Sequence, residues 1–383
     1  MKAVIVAPFF DSIDKMSFGP HPFIHNLVKG LNKKIDVQII TSGWPKHKTE
    51  EIVEGVKVFR VPTFPYPLQL YKGPYLSFSF GLKKILQEKP DVVNVQDFDG
   101  VMLLRLLAKR CPEIPRILSL KSLTKVRVKA IYGSHSFVEK VFVNVQDYFE
   151  SIAFNNADNF VVPSNFFMNK MLLYHPNFFG RITKVYNGID LNVFKPLKTP
   201  DRNQLLFVGG KSERKGYKFA LKTFAALKKS FSDLKLVFVG SKNVSDCREL
   251  SELSAKELKD ITCIERVPYH EMPALINEST IVLNPSLQET FGTVNAETMA
   301  CSKPVVAFKA SVMPEILDDS ALQANFLSES DFIEKTRILL DDKQLRLKIG
   351  RKGLARARKL FDLNDSIKNY VNLFKETVEG GKN

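Results

Sequence analysis

At 383 residues, with 44% hydrophobic and 25% charged side chains, the chain can build two domains with substantial cores and is too apolar to be disordered. No run of 18 or more apolar residues occurs, and Met1-Lys2 leads straight into AVIVAPFF, so neither a membrane-spanning helix nor a secretory leader is expected. The formal charge of +15 is concentrated in residues 1–195, which hold 26 Lys/Arg against 16 Asp/Glu, and this implies an anionic surface as partner.

Residues 2–8 read as a buried strand. Ile24, Leu27, Val28 and Leu31 then recur at helical spacing, and Val37, Ile39 and Ile40 make a second strand. Strand, helix and strand at this length form a parallel crossover unit, and the absence of Gly-x-Gly-x-x-Gly in the first turn argues against a dinucleotide-binding dehydrogenase. Residues 62–84 are broken by prolines and mix Phe64, Tyr66, Tyr71, Tyr75 and Phe78 with Lys72, Lys83 and Lys84. Two readings stay open for them: a loop packing into the core, or an interfacial segment with aromatics at headgroup level. A strand at Asp91–Val95 and a helix to Arg110 follow. Arg105, Lys109, Arg110, Arg116, Lys121, Lys125, Arg127 and Lys129 then face only Glu113, a long positive run and the candidate for anionic lipid or a phosphate-bearing acceptor. A lysine surface serving solubility stands beside that reading. No helix-turn-helix, zinc-finger or RNA-binding aromatic signature is present, so nucleic acid is not an expected partner.

Further strands fall at Ile117–Leu120 and Phe160–Pro163, with Ser164-Asn165 capping a helix. Lys195–Asn203, with two prolines and no apolar period, is the expected linker, dividing the chain into domains 1–195 and 196–363. The second domain restarts at Leu205–Val208, followed by Gly209-Gly210 and by Glu213-Arg214-Lys215-Gly216 opening a helix. Glycines after a strand with cations at a helix start make a phosphate cradle, Lys215 as a point charge and Arg214 as a fork. Cys111, Cys247, Cys263 and Cys301 have neither pairing nor zinc spacing, which fits a reducing cytoplasm.

The stretch Leu283–Glu315 concentrates the chemistry. A strand to Asn284, a loop Pro285–Gly292, a helix from Gly292 and a strand Pro304–Phe308 place the loop beyond a strand's carboxyl end, where ligands of such sheets sit. Gly292 admits close backbone approach, and the helix start offers N–H groups to an anion. Glu297 lies roughly 7 Å further along, about the distance from a diphosphate to its ribose, and can accept from both ribose hydroxyls. Glu289 would face whatever hangs off the phosphate. A nucleotide-sugar suits this constellation; a two-carboxylate hydrolase does not, because the two Glu occupy a loop and a helix rather than flanking one bond.

Pro285-Ser286, Glu289, Phe291-Gly292, Glu297, Met299-Ala300, Pro304-Val305-Val306-Ala307 and Glu315 resemble the signature of the retaining glycosyltransferases of family 4, of GT-B fold. Two facing doubly wound α/β, Rossmann-like domains with a cleft between them are thereby implied. The final helix, within 364–383, would cross back onto the first. The resemblance implies a nucleotide diphosphate-sugar donor in the second domain, a glycan or lipid-linked acceptor in the first, no metal and no cofactor. Its donor-binding residues map to Gly19, Gly209, Gly210, Arg214, Lys215, Arg266, Val267, Glu289, Thr290, Phe291, Gly292, Thr293 and Glu297, with the turn at Arg266-Val267 reading the base. Glu289 and Lys121 take the catalytic places, Lys121 standing where the family often has His. The chain departs from the family pattern at Cys301-Ser302-Lys303, at Ser311-Val312 in place of Gly-Gly, and at Asn94-Val95-Gln96 in place of a His-rich strand end. A cytoplasmic enzyme, peripheral at the inner face of a membrane, is the expectation. A catalytically silent nucleotide-sugar-binding protein and an epimerase of the same architecture are the alternatives.

Overall fold

The computed structural model describes residues 1–13, 21–43, 48–62, 78–121, 137–200 and 202–380. Gly19, the aromatic stretch from Phe64 to Tyr75, and Lys125, Arg127 and Lys129 lie outside them. The chain forms two compact units, Met1–Gly188 with Leu363–Asn383, and Ile189–Asp362.

The first unit runs β1 (Lys2–Val6), α1 (His21–Asn32), β2 (Asp36–Gly43), β3 (Glu50–Val53), β4 (Val56–Pro62), α2 (Gly81–Glu88), β5 (Val92–Gln96), α3 (Val101–Arg110), β6 (Arg116–Ser119), α4 (Phe137–Asn156), β7 (Asn159–Val162), α5 (Asn165–Tyr174) and β8 (Ile182–Lys184). Its sheet has the order β3-β4-β2-β1-β5-β6-β7-β8 and is parallel except for the β3–β4 hairpin, an edge the sequence reading does not contain. Glu54 and Gly55 turn that hairpin with φ of 47° and 84°, as a two-residue turn between right-twisted strands requires.

The central strands are covered on both faces, which explains their unalternating apolar runs. One face packs on Leu103, Leu107 and Phe154, the other on Leu27, Leu31 and Phe374. Phe374 belongs to the C-terminal helix (Leu363–Gly380), whose Tyr370 hydroxyl donates to Ser119 Oγ at 3.3 Å inside an otherwise apolar layer. Asn94 Nδ2 donates to the same oxygen at 2.8 Å, so these polar groups are satisfied within the core.

The second unit runs β9 (Gln204–Val208), α6 (Tyr217–Lys228), β10 (Lys235–Val239), α7 (Ala255–Leu258), β11 (Ile261–Ile264), α8 (Met272–Glu278), β12 (Ile281–Asn284), α9 (Thr293–Ala300), β13 (Val305–Phe308), α10 (Met313–Leu317), β14 (Leu322–Ala324), α11 (Glu329–Asp341) and α12 (Lys343–Leu360). Its sheet, β11-β10-β9-β12-β13-β14, is wholly parallel. The strand order reverses between β9 and β12. Residues 195–199, read from sequence as linker, are tied to α8: Leu197 N–H donates to Asn277 Oδ1 at 2.8 Å, and Asn277 Nδ2 donates to Lys195 O at 3.0 Å. Ile189 N–H already donates to Phe361 O at 2.7 Å, so the chain joins the second unit ahead of the prolines.

Helix α12 crosses α9 through glycines. A Cβ on Gly350 would lie 2.1 Å from the carbonyl oxygen of Ser302. Alanine in mid-helix is favoured over glycine by roughly 1 kcal/mol. Here the obstacle is backbone, which cannot rotate away, and overpacking of this kind costs about 1–3 kcal/mol. Gly350→Ala is therefore expected to lower stability in urea unfolding, whereas Gly380→Ala, with nothing within 4 Å of its Cβ, leaves it unchanged or slightly raised.

Candidate functional site

The β9/β12 reversal opens a crevice at the carboxyl ends of both strands, the place where doubly wound sheets bind ligands. Two loops border it, residues 209–216 after β9 and residues 285–292 after β12. Gly216, at φ 70°, lets them touch: a Cβ there would sit 2.0 Å from Pro285 O. Leu287 N–H donates to Arg214 O at 2.9 Å, and Arg214 Nη1 donates to Gln288 O at 3.1 Å. A short helical turn, Glu213–Lys215, then points Lys215 across the seam. Gly209 leaves room for that side chain, since a Cβ on it would meet Lys215 Cβ at 2.8 Å.

Lys215 Nζ pairs with Glu289 Oε1, and Arg214 Nη1 stands 3.7 Å from Glu289 Oε2. Burial pushes the Glu289 carboxyl up, but Lys215 and Arg214 together hold it below the usual carboxylate range. Behind it, Ser286 Oγ donates to Asn284 Oδ1 at 2.5 Å, Asn284 Nδ2 to Asn295 Oδ1 at 2.7 Å, and Asn295 Nδ2 to Met313 Sδ at 2.9 Å. Ser311 closes the loop from the other side. Its hydroxyl donates to Glu289 O at 2.6 Å and accepts from Glu289 N–H at 3.1 Å.

Gly292 caps α9 at φ 80° with no side-chain bond. Phe291 is buried edge-on against Phe361 at 5.4 Å, and Thr290 and Thr293 flank the helix start, both half-buried. On the buried face of α9, Glu297 has no hydrogen-bond donor among the described residues. Burial lifts its carboxyl to about 8, against the opposing pull of Lys215. It is thus a neutral acid at pH 7.

Some expected donor contacts have other occupations. The N–H groups of Gly209 and Gly210 both donate to Val239 O, at 3.1 and 2.9 Å, so these glycines seat β9 on β10. Arg266 and Val267 follow β11, at the far edge of the sheet from β12; Arg266 is exposed and Val267 buried.

In the first unit the order reverses between β1 and β5. Asp97 follows β5 with φ 61° and ψ −161°, a conformation nearly confined to glycine and typical of functional sites when another residue adopts it. Lys121, directly after Leu120, lies near it. Its Nζ donates to Asn187 Oδ1 at 3.2 Å and sits 4.7 Å from the Phe23 ring centroid. Burial brings this ammonium down to about 8, partly offset by Asp97. Sequence reasoning missed Asp97 and met Ser311 only as a departure from the family pattern. Of the basic run, Arg116 is buried and paired with Asp158 at 2.6 Å and Lys121 is half-buried, while Lys109 and Arg110 are its fully exposed members among the described residues.

A family model described as Glycosyltransferase Family 4 matches residues 19–193, and one described as Glycosyl transferases group 1 matches residues 189–356. The chain belongs to the family 4 glycosyltransferases. An uncharacterized glycosyltransferase of Methanocaldococcus jannaschii is 27% identical over 337 residues, covering 86% of this enzyme and 87% of the relative. D-inositol 3-phosphate glycosyltransferase 1 of Catenulispora acidiphila is 25% identical over 87% of this chain and 84% of its own. Among solved structures, sucrose-phosphate synthase from Thermosynechococcus elongatus superposes with a TM-score of 0.82 over 99% of both chains at 16% identity. Anabaena HepE in complex with UDP and glucose gives a TM-score of 0.71 at 14% identity, covering 98% of this chain and 99% of its own. These likenesses identify the enzyme's fold as GT-B. Among the described residues no helix is long and apolar enough to cross a membrane.

Two outcomes test this geometry. Glu297 has a folded value near 8 against about 4.3 unfolded, so above pH 4.3 the unfolded chain releases a proton that the folded one keeps. Stability from this group is complete below pH 4.3 and falls by about 1.4 kcal/mol per pH unit until pH 8. Glu297→Gln should therefore stabilise the unliganded protein at pH 8 by about 3 kcal/mol relative to pH 5, read from urea unfolding at both pH values. At Ser311, φ is 55°. Ser311→Ala loses the double clasp on Glu289 and keeps the left-handed strain, costing about 1–2 kcal/mol. Ser311→Gly loses the clasp but relieves the strain, and should cost less in the same assay.

Proposed function

We propose that this glycosyltransferase moves a sugar, with retention, from a nucleoside diphosphate-sugar held by the second unit to a hydroxyl of a glycan or lipid-linked acceptor taken by the first. The observation that carries the reading is the pairing of Lys215 and Arg214 with buried Glu289 beside an uncapped helix start, one helical stretch from a buried Glu297 that lacks a donor.

The bond broken joins the anomeric carbon to the diphosphate. The bond formed joins that carbon to the acceptor oxygen on the same face, and the acceptor hydroxyl's proton passes to the departing diphosphate oxygen. The leaving diphosphate gains negative charge, which Lys215, Arg214 and the N–H groups at the start of α9 stabilise. These groups carry charge that a divalent ion would otherwise balance, so the reading is of a metal-independent transfer. With Lys215 drawn toward phosphate, Glu289 is freed to accept from the hydroxyls of the bound sugar. Glu297 takes the ribose, its carboxylate accepting from two hydroxyls. In the first unit, Lys121 serves as an electrostatic partner of the reacting groups. UDP-sugar complexes of the structural neighbours support the donor class.

Donor binding should pull Glu297 from neutral acid to carboxylate and release a proton. The affinity for UDP-glucose, a diphosphate diester with no titration of its own near neutrality, is therefore expected to rise between pH 6 and pH 8. Calorimetry in two buffers of different ionisation enthalpy reads the proton directly. Glu297→Gln should abolish the pH dependence, and Lys215→Ala should weaken binding by about 1.5–3 kcal/mol at any pH. A flat wild-type profile together with unchanged Lys215→Ala affinity would refute this donor site. Another nucleotide of the same class replaces UDP in the assay if uridine is not the base.

A further inference from the structure

Helix α12 carries Lys343, Arg346, Lys348, Arg351, Lys352, Arg356, Arg358 and Lys359 and no acidic residue in its 18 positions. The fold sorts these cations. Arg346 donates to the carbonyls of Leu339 and Leu340, Arg356 pairs with Asp318 at 3.0 Å, and Lys352 with Asp319 at 2.6 Å. Gly350 and Gly353 press one face against Ser302 and Met299. Lys348, Arg351, Arg358 and Lys359 are exposed on the opposite face, and no ion pair joins them to a described carboxylate. Spacings of three (Lys348 to Arg351), seven (Arg351 to Arg358) and eleven (Lys348 to Lys359) keep them in one broad stripe, and Leu347, 47% exposed, lies at its edge.

Like charges at three and four residues repel and destabilise a helix. The neighbouring α11 avoids this by alternating Glu329, Asp331 and Glu334 with Lys335 and Arg337, whereas α12 does not. Asp318 and Asp319 compensate two of these cations and the C-terminal dipole favours Arg358 and Lys359, but no described carboxylate pairs with the exposed stripe, which points to a use outside the fold.

We propose that the exposed face of α12 is a docking surface for an anionic lipid bilayer. A straight helix of 18 residues offers a plane about 27 Å long, and its Lys and Arg stems reach a flat array of phosphates while Leu347 enters the headgroup boundary. Helix α12 has no aromatic side chain on which a nucleobase would stack, which favours lipid over single-stranded nucleic acid. The surface lies on the second unit, not on the first-unit run singled out from the sequence. It is independent of the donor chemistry.

The test is co-sedimentation of the full chain with vesicles of phosphatidylcholine alone and of phosphatidylcholine mixed with phosphatidylglycerol. Binding is expected to the mixed vesicles only, weakening as salt rises from about 0.01 M to about 0.1 M and the screening length shrinks from about 30 to about 10 Å. The triple variant Lys348→Glu/Arg351→Glu/Arg358→Glu should lose at least about tenfold in partitioning. Its UDP-glucose affinity and melting temperature should stay at wild-type values, and the glutamine triple variant should show the same loss if the glutamates disturb folding. Lys109→Glu/Arg110→Glu on the first unit should change partitioning less than about threefold. The proposal is overturned by equal binding to both vesicles, by no binding to either, or by loss in the first-unit variant with the α12 variant unaffected. Displacement from vesicles by a single-stranded oligonucleotide whose own binding vanishes in the α12 variant would give the face to nucleic acid and overturn it equally.

Discussion

The second unit depends on one close approach, that of Gly216 to the carbonyl of Pro285. No residue with a Cβ fits there, because the atom would lie 2.0 Å from that oxygen. With the two loops seated, Arg214 O, Gln288 O and the Lys215–Glu289 pair fall into register across the seam. A buried ion pair is a poor source of net stability, and breaking one by removing a single partner costs about 3–5 kcal/mol. Its value here is positional. It keeps a cation and a carboxylate poised at the strand reversal, each ready to exchange the other for a ligand group of matching chemistry.

The two loop-to-helix turns were legible in sequence because each is local, whereas the Lys215–Glu289 pair, across a separation of 74, was not. The glycines, Lys215, Glu289 and Glu297 sit in two loop-to-helix turns whose geometry demands those residue types. The family departures were legible as departures but not in their consequence. Ser302 and Ser311 stand where the family has glycine, and both keep the left-handed backbone, with φ of 58° and 55°. Ser311 then does what glycine cannot, clasping both backbone groups of Glu289. The backbone path is retained and the freedom of the turn is exchanged for a hydroxyl bracket. The first-unit contacts were opaque for the same reason. Lys121 finds Asn187 across a sequence separation of 66, and Asp97 announces itself only through its backbone angles.

The two carboxylates of the second unit illustrate how environment divides identical groups. Both are buried, yet two cations hold the Glu289 carboxyl below the usual range while burial pushes that of Glu297 up to about 8. For a folded protein without ligand the second is a loss, since every pH unit between about 4.3 and 8 weakens the fold by about 1.4 kcal/mol. A buried acid with nothing to bind is therefore stability set aside. A ligand hydroxyl can recover it, and the recovery is strongest where the ligand supplies two donors at once, as a ribose does.

Charge counting along the chain pointed to the first half, and the fold redistributes that charge. Arg116 bonds Asp158 and the carbonyls of Pro112, Ile114 and Asn156, so it stitches β6 to its surroundings and offers nothing outward. Lys121 is half-buried, with its ammonium 4.7 Å from the Phe23 ring centroid. Formal charge is conserved by folding, but only exposed charge attracts a distant partner, and screening limits that reach to about 10 Å at 0.1 M salt. A helix that turns one face to glycine packing and the other to water converts nearly all its remaining cations into field. Helix α12 meets that condition with four exposed cations that pair with no described carboxylate, whereas the run between Arg105 and Lys121 keeps Lys109 and Arg110 fully exposed.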